Sequence, residues 1–169
     1  MDEIVNKVAN SGLITIDLGD HYPEGSRSII DLKDQLWQGM VIREKDFREW
    51  VNTEDWSRLQ DHHVALFCST DAIIPTWAYM LLSSALSPFA RSIHFGDAQS
   101  LEAELWRASL ASVQAEDYLD QRVIIKGCSD RPVSPHAFVE LTNKLRPYVK
   151  SLMYGEPCST VPVYKKPRG

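Results

Sequence analysis

The sequence predicts an α/β protein: a three-layer, largely parallel sheet with crossover helices and a proline-containing edge strand. Three observations predict it. From His63 onward, short apolar runs of strand length alternate with stretches of helical period. Those stretches are long enough to cross back over a sheet, the connection that parallel strands need. Near the end, Thr160-Val161-Pro162-Val163-Tyr164 reads as extended, and its internal proline removes a ladder donor and places it at a sheet edge. A chain of 169 residues suits one α/β domain over residues 1–169. It can bury roughly 70% of its extended surface, so folding requires neither a disulfide nor a metal.

The elements follow in order. Asp2 to Ala9 reads as a short amphipathic helix, and Leu13-Ile14-Thr15-Ile16-Asp17-Leu18 alternates as a half-buried strand does. Gly19 to Ser28, with Pro23 and Gly25, reads as a loop. Strands are expected near Ile29–Leu32 and Gly39–Ile42. Phe47, Trp50 and Val51 share a helical face, and Thr53 is placed to cap a further turn carrying Trp56. Val64-Ala65-Leu66-Phe67 is the next strand, followed by a helix near Pro75–Leu86. Ser92-Ile93-His94-Phe95 is a strand, and a long helix is expected from Ala98 to Leu119 through Leu101, Leu105, Trp106, Ala108, Leu110 and Val113. Arg122-Val123-Ile124-Ile125-Lys126 is a strand. The helix after it carries Phe138, Leu141 and Leu145 on one face, and Pro147 should kink or end it.

The net charge of −5 speaks against bulk nucleic-acid binding, which needs clustered Lys and Arg to displace counterions. The one basic cluster, Lys165, Lys166 and Arg168, reads as a solvated terminus. The acidic N-terminus does not resemble a secretory signal, and the longest mostly apolar stretch, Ala72 to Leu86, is too short to span a bilayer. A cytoplasmic protein without membrane contact is therefore expected. Its three cysteines would be thiols there.

Those cysteines all open a Cys-Ser turn: Cys68-Ser69-Thr70-Asp71, Cys128-Ser129-Asp130 and Cys158-Ser159-Thr160. The first two follow strands and share a continuation. Ile74, Ala78, Tyr79, Met80 and Leu82 counted from Asp71 meet Val133, Ala137, Phe138, Val139 and Leu141 counted from Asp130, as two related strand–turn–helix units would. A thiol at a helix entrance is favoured as thiolate, the form that attacks or coordinates, and Ser, Thr or Asp beside it can cap the helix. Three thiolates brought together suit zinc or an iron–sulfur cluster, with His136 in the first turn after Pro135 as a further ligand. Cysteine is equally at home as a small core hydrophobe, and no C-x-x-C pair occurs. The alternatives are an enzyme or sulfur carrier with one reactive cysteine, Cys68 being the candidate nucleophile or persulfide carrier, and a structural or interaction module whose thiols only pack.

Other constellations point to structure. Asp17, Asp20 and His21 read as an Asp-rich turn, and His94 as a hydrogen-bonded sheet histidine. His62 and His63, being adjacent, should diverge. Gly155-Glu156-Pro157 reads as a tight turn aiming the Cys158 thiol. No G-x-G-x-x-G, Walker, G-x-S-x-G or H-E-x-x-H motif is present.

Arg43-Glu44-Lys45-Asp46-Phe47-Arg48, the stretch from Cys68 to Tyr79, and Gly155-Glu156-Pro157-Cys158-Ser159-Thr160-Val161-Pro162 resemble a bacterial domain-of-unknown-function family over nearly the whole chain. The resemblance implies a context, since members are often encoded beside iron–sulfur cluster assembly genes of the sulfur-mobilisation type. The expectation is an accessory protein of that assembly, with assembly proteins as partners. It would bind zinc, iron or a cluster through Cys68, Cys128 and Cys158. A homodimer is compatible with the domain size.

Overall fold

The computed structural model describes residues 12–127 and 130–167. The expected helix from Asp2 to Ala9 and the residues Cys128, Ser129 and Arg168 lie outside them. The described residues gather into two compact units, those up to Pro23 with those from Leu105 on, and residues 24–104. We refer to them as the outer unit and the inserted unit, because the second interrupts the first in sequence.

The outer unit opens with β1 (Leu13–Asp17) and a 3-10 turn, Leu18–His21. The inserted unit runs β2 (Arg27–Asp31), a 3-10 turn Leu32–Gln35, α1 (Glu44–Thr53), a 3-10 turn Trp56–Leu59, β3 (His63–Phe67), α2 (Thr76–Leu86) and β4 (Ser92–Phe95). Helix α3 (Ala98–Leu110) crosses the boundary between units after Glu104. The outer unit resumes with a 3-10 turn Ala115–Tyr118, β5 (Arg122–Lys126), α4 (Pro135–Leu145), β6 (Ser151–Glu156) and β7 (Ser159–Lys165). The class is α/β with largely parallel strands and crossover helices, as predicted. Among the described residues the strands form two sheets, β2-β3-β4 and β1-β5-β6-β7, and every pair is parallel except β6–β7.

The central strands are buried through Val64, Ala65 and Leu66 in β3 and Val123, Ile124 and Ile125 in β5, which explains their unbroken apolar runs. Each is covered by a helix whose buried residues recur every four positions, Ala78, Leu82 and Leu86 in α2 and Ala137, Leu141 and Leu145 in α4. Pro135 starts α4 at a position where a missing N–H is harmless, and Ser134 Oγ accepts from the His136 amide. The helix ends before Pro147, as expected.

Some elements differ from the sequence reading. Gly39–Ile42 is no strand. Gln38 and Gly39 both have positive φ (51° and 69°) and form a tight turn closed by a Trp37–Val41 bridge, as a primed hairpin turn requires. Helix α3 stops at Leu110; Val113 is still buried, so apolar spacing persisted past the last helical bond and lengthened the prediction. Ala108 is exposed. Asp55, rather than Thr53, caps the turn that carries Trp56, accepting from the Ser57 amide at 3.0 Å.

The two related strand–turn–helix units extend much further than the sequence suggested. Positions 59 apart match from Asp61 and Asp120 through β3 and β5, α2 and α4, β4 and β6, to Gly96 and Gly155. Asp61 and Asp120 share left-handed φ values of 61° and 55°. Their amides bond the matched carbonyls of Phe89 (3.0 Å) and Tyr148 (2.9 Å). Tyr79 meets Phe95 edge-on at 5.2 Å, and Phe138 meets Tyr154 at 5.6 Å. The first strands match too: Asp17 and Asp31 end β1 and β2, and each accepts from the amide two residues on. Both units thus share one β–turn–α–turn–β–α–β frame, and β7 has no counterpart among the described residues of the inserted unit.

Candidate functional site

In sheets of this kind ligands gather outside the carboxyl ends of the strands. At that edge of the inserted unit, Cys68 follows β3 directly. It is partly exposed, a free thiol, with Sγ 3.3 Å from Thr70 Oγ1. The loop is tied to the neighbouring strand end: Asp31 at the close of β2 accepts from the Ser69 amide (3.0 Å) and the Ser69 hydroxyl (2.6 Å). Desolvation raises the Asp31 pKa, but the Ser69 bonds, the Lys33 amide and the Lys33 charge outweigh it and hold the carboxyl below its ordinary value. Ser69 is therefore a brace that ties the thiol loop to the end of β2.

Beyond this brace lies a cleft of about 460 Å³, lined by Cys68, Thr70, Ile74, Tyr79, Phe95 and Asp97 among others. Burial, and then the charge of Cys68, raise the Tyr79 hydroxyl pKa. Asp97 accepts from the Ser100 amide and hydroxyl, each at 2.9 Å, capping the first turn of α3. These bonds, the amide first, hold its pKa down. Gly96 makes the approach possible, since a Cβ there would stand 2.5 Å from Ser100 Cβ.

The other predicted residues fall as follows. Cys68 is not at a helix entrance: α2 begins eight residues later, its cap is Pro75 without a side-chain bond, and Ser69, Thr70 and Asp71 do not cap it. Asp71 and Asp130 are exposed, and Ser134 rather than Asp130 caps α4. Cys158 is exposed in the two-residue turn Pro157-Cys158 joining β6 to β7, while Gly155 and Glu156 belong to β6 and pair with Thr160 and Ser159. His136 is exposed in the first turn of α4. Cys68 belongs to the inserted unit, and Cys158 and His136 to the outer one. Among the described residues no group of three or more His, Cys, Asp or Glu could hold a metal ion. At the matching edge of the outer unit, Lys126 reaches both Asp17 and Glu156 at 3.4 Å, so ion pairs tie three strand ends together.

Adjacency in the sequence could not show how the histidines link. His63 Nε2 lies 2.9 Å from the Glu24 carbonyl, which can only accept, so Nε2 carries the proton. Its Nδ1 then accepts from the Ser92 hydroxyl at 2.6 Å, and Ser92 Oγ accepts from His94 Nε2 at 2.8 Å. His62 diverges, as predicted, to Ser28 at 2.7 Å. Burial, reinforced by His63 and opposed by Glu104, lowers the His94 pKa. The unfolded chain therefore binds more protons than the folded one once pH falls below the ordinary value of about 6.5. Stability contributed by neutral His94 is present above that pH and lost as pH drops through the lowered pKa. Denaturation of wild type and His94→Asn across that range should show wild type losing more stability toward acid; parallel pH curves would disprove the assignment.

The fold and its edge define an α/β protein of two largely parallel-stranded units, one of which presents a partly exposed thiol at the carboxyl ends of its strands. The chain belongs to the family described as a protein of unknown function (DUF2480), whose model matches residues 2–166. No curated protein and no solved structure matches it. No helix among the described residues is long and apolar enough to cross a membrane.

Proposed function

We propose that the chain is an accessory protein of iron–sulfur cluster assembly that carries sulfur on Cys68. The observation supporting this most directly is the placement of Cys68. A partly exposed thiol sits at the carboxyl end of a buried central strand, on a braced loop, facing an open cleft. The genomic context implied by the family resemblance supplies the pathway, and assembly proteins are the partners in this reading.

The chemistry is sulfur exchange. The Cys68 thiolate attacks the outer sulfur of a donor persulfide, a new S–S bond forms, and the donor's S–S bond breaks. The donor leaves as a thiolate and takes up the proton released from Cys68. An acceptor thiolate collects the sulfur by the same step in reverse, so no outside oxidant or reductant is needed. Thr70 Oγ1 is close enough to donate to the sulfur, and Ile74, Tyr79 and Phe95 give the cleft an apolar side.

Purified protein incubated with glutathione persulfide should gain the mass of one sulfur atom. Cys68→Ser should lose that gain, while Cys128→Ser and Cys158→Ser keep it. No gain in wild type, or an undiminished gain in Cys68→Ser, would overturn the reading.

A further inference from the structure

The outer unit carries a second cleft, of about 540 Å³, at the amino ends of β5 and β6. Four cations line it: Arg122, Lys150, Lys165 and Lys166. Lys165 closes β7 and Lys166 follows it, and both side chains are exposed while their backbone is held. Lys165 pairs with Ser151, and the Lys166 amide bonds the Lys150 carbonyl at 2.9 Å. Asp120 stands beside them, accepting from Lys166 Nζ at 2.8 Å and also feeling the charge of Lys150. In a chain of net charge −5, this is a local positive field. Met153, Pro162 and Tyr164 give the cleft an apolar floor.

The inserted unit shows what this place accepts. The positions matching Arg122 and Lys150 are His63 and Arg91. There both side chains converge on one oxygen, the Glu24 carbonyl, at 2.9 and 3.0 Å. The chain's own backbone fills that edge, with the His63 amide also bonding Ser26 O at 2.8 Å and Gly25 lying against the His63 ring. In the outer unit the same positions bear Arg122 and Lys150, and the end of β7 brings Lys165 and Lys166 beside an open cleft.

We propose that this cleft binds a small organic anion. Lys150, Lys165 and Lys166 take its oxygens, and its apolar body lies on Met153, Pro162 and Tyr164. A phosphate ester of an aromatic or aliphatic alcohol has this chemistry. Lysine heads at an exposed rim supply charge-assisted bonds that salt weakens, whereas the floor contributes by excluding water.

Naphthyl phosphate titrated into the full chain tests both halves. It should bind at least about tenfold tighter than inorganic phosphate or naphthol, with affinity falling as salt rises. K150Q/K165Q, which changes two exposed side chains, should lose about tenfold in affinity while its circular dichroism stays that of wild type. Cys68→Ser should bind as wild type, separating this site from the thiol cleft. Absent binding, undiminished binding in K150Q/K165Q, or inorganic phosphate binding as tightly as the ester would overturn the proposal. So would a hexaglutamate peptide binding through these lysines where naphthyl phosphate does not.

Discussion

Leu82→Ala and Leu141→Ala are each expected to destabilise the protein by about 3 kcal/mol, the usual cost of emptying a leucine site in a packed core. Both side chains are fully buried, each in the middle of a stripe that covers a central strand. They occupy matching positions of the repeated frame, so their costs should agree within about 1 kcal/mol, the spread arising from how far each site can relax. Met80 and Val139, on the opposite faces of the same helices, are 68% and 60% exposed. Alanine there should change stability by no more than about 0.5 kcal/mol. Urea denaturation of the four variants checks the prediction. A cost below about 1 kcal/mol at Leu82 or Leu141 would mean that the stripe is not the face holding its helix to the sheet.

Gly155→Ala should cost about as much for a different reason. Gly155 has φ 114°, outside the range that a side chain tolerates, and a Cβ would stand 2.6 Å from the Ser159 carbonyl oxygen. The strain alone costs on the order of 1–3 kcal/mol. The clash adds to it, because the obstructing atom is backbone held in the β6–β7 register and cannot swing aside. The matched Gly96 has φ 128°, and a Cβ there would stand 2.5 Å from Ser100 Cβ, which no side-chain rotation moves, so Gly96→Ala should cost about as much. Denaturation midpoints of the two variants check this. Amide exchange of residues 159–165 locates the damage: Gly155→Ala should open β7 first, and unchanged protection there would contradict the argument.

Much of the frame was legible because its cause is local. The apolar runs of β3 and β5, the four-residue recurrence in α2 and α4, and the proline in β7 each report burial or hydrogen bonding within a few residues. The division into two sheets was not, since β1 precedes an insertion that returns to the same sheet only at β5, and no short pattern records that return. At the site, the place of Cys68 after a buried strand could be read, while its brace could not, because Asp31 and Ser69 are 38 residues apart. The cationic cleft escaped for the same reason. Arg122, Lys150 and Lys165 are scattered along the sequence and meet only through strand pairing, whereas the visible run at the C-terminus suggested a tail. Cys68 lies away from a helix entrance because a loop separates its turn from α2, a length that local spacing does not record.

The outermost strands bear on whether this protein recruits stray polypeptide. Any strand with an unpaired side is a template on which another chain can lay itself down. Among the described residues, the edge strands β1 and β2 offer five residues each and β4 only four, lengths too short to hold a foreign segment well. The long one, β7, has seven residues, and Pro162 interrupts its donors near the middle. Fibre-like growth is thus discouraged by brevity at three rims and by a missing amide at the fourth.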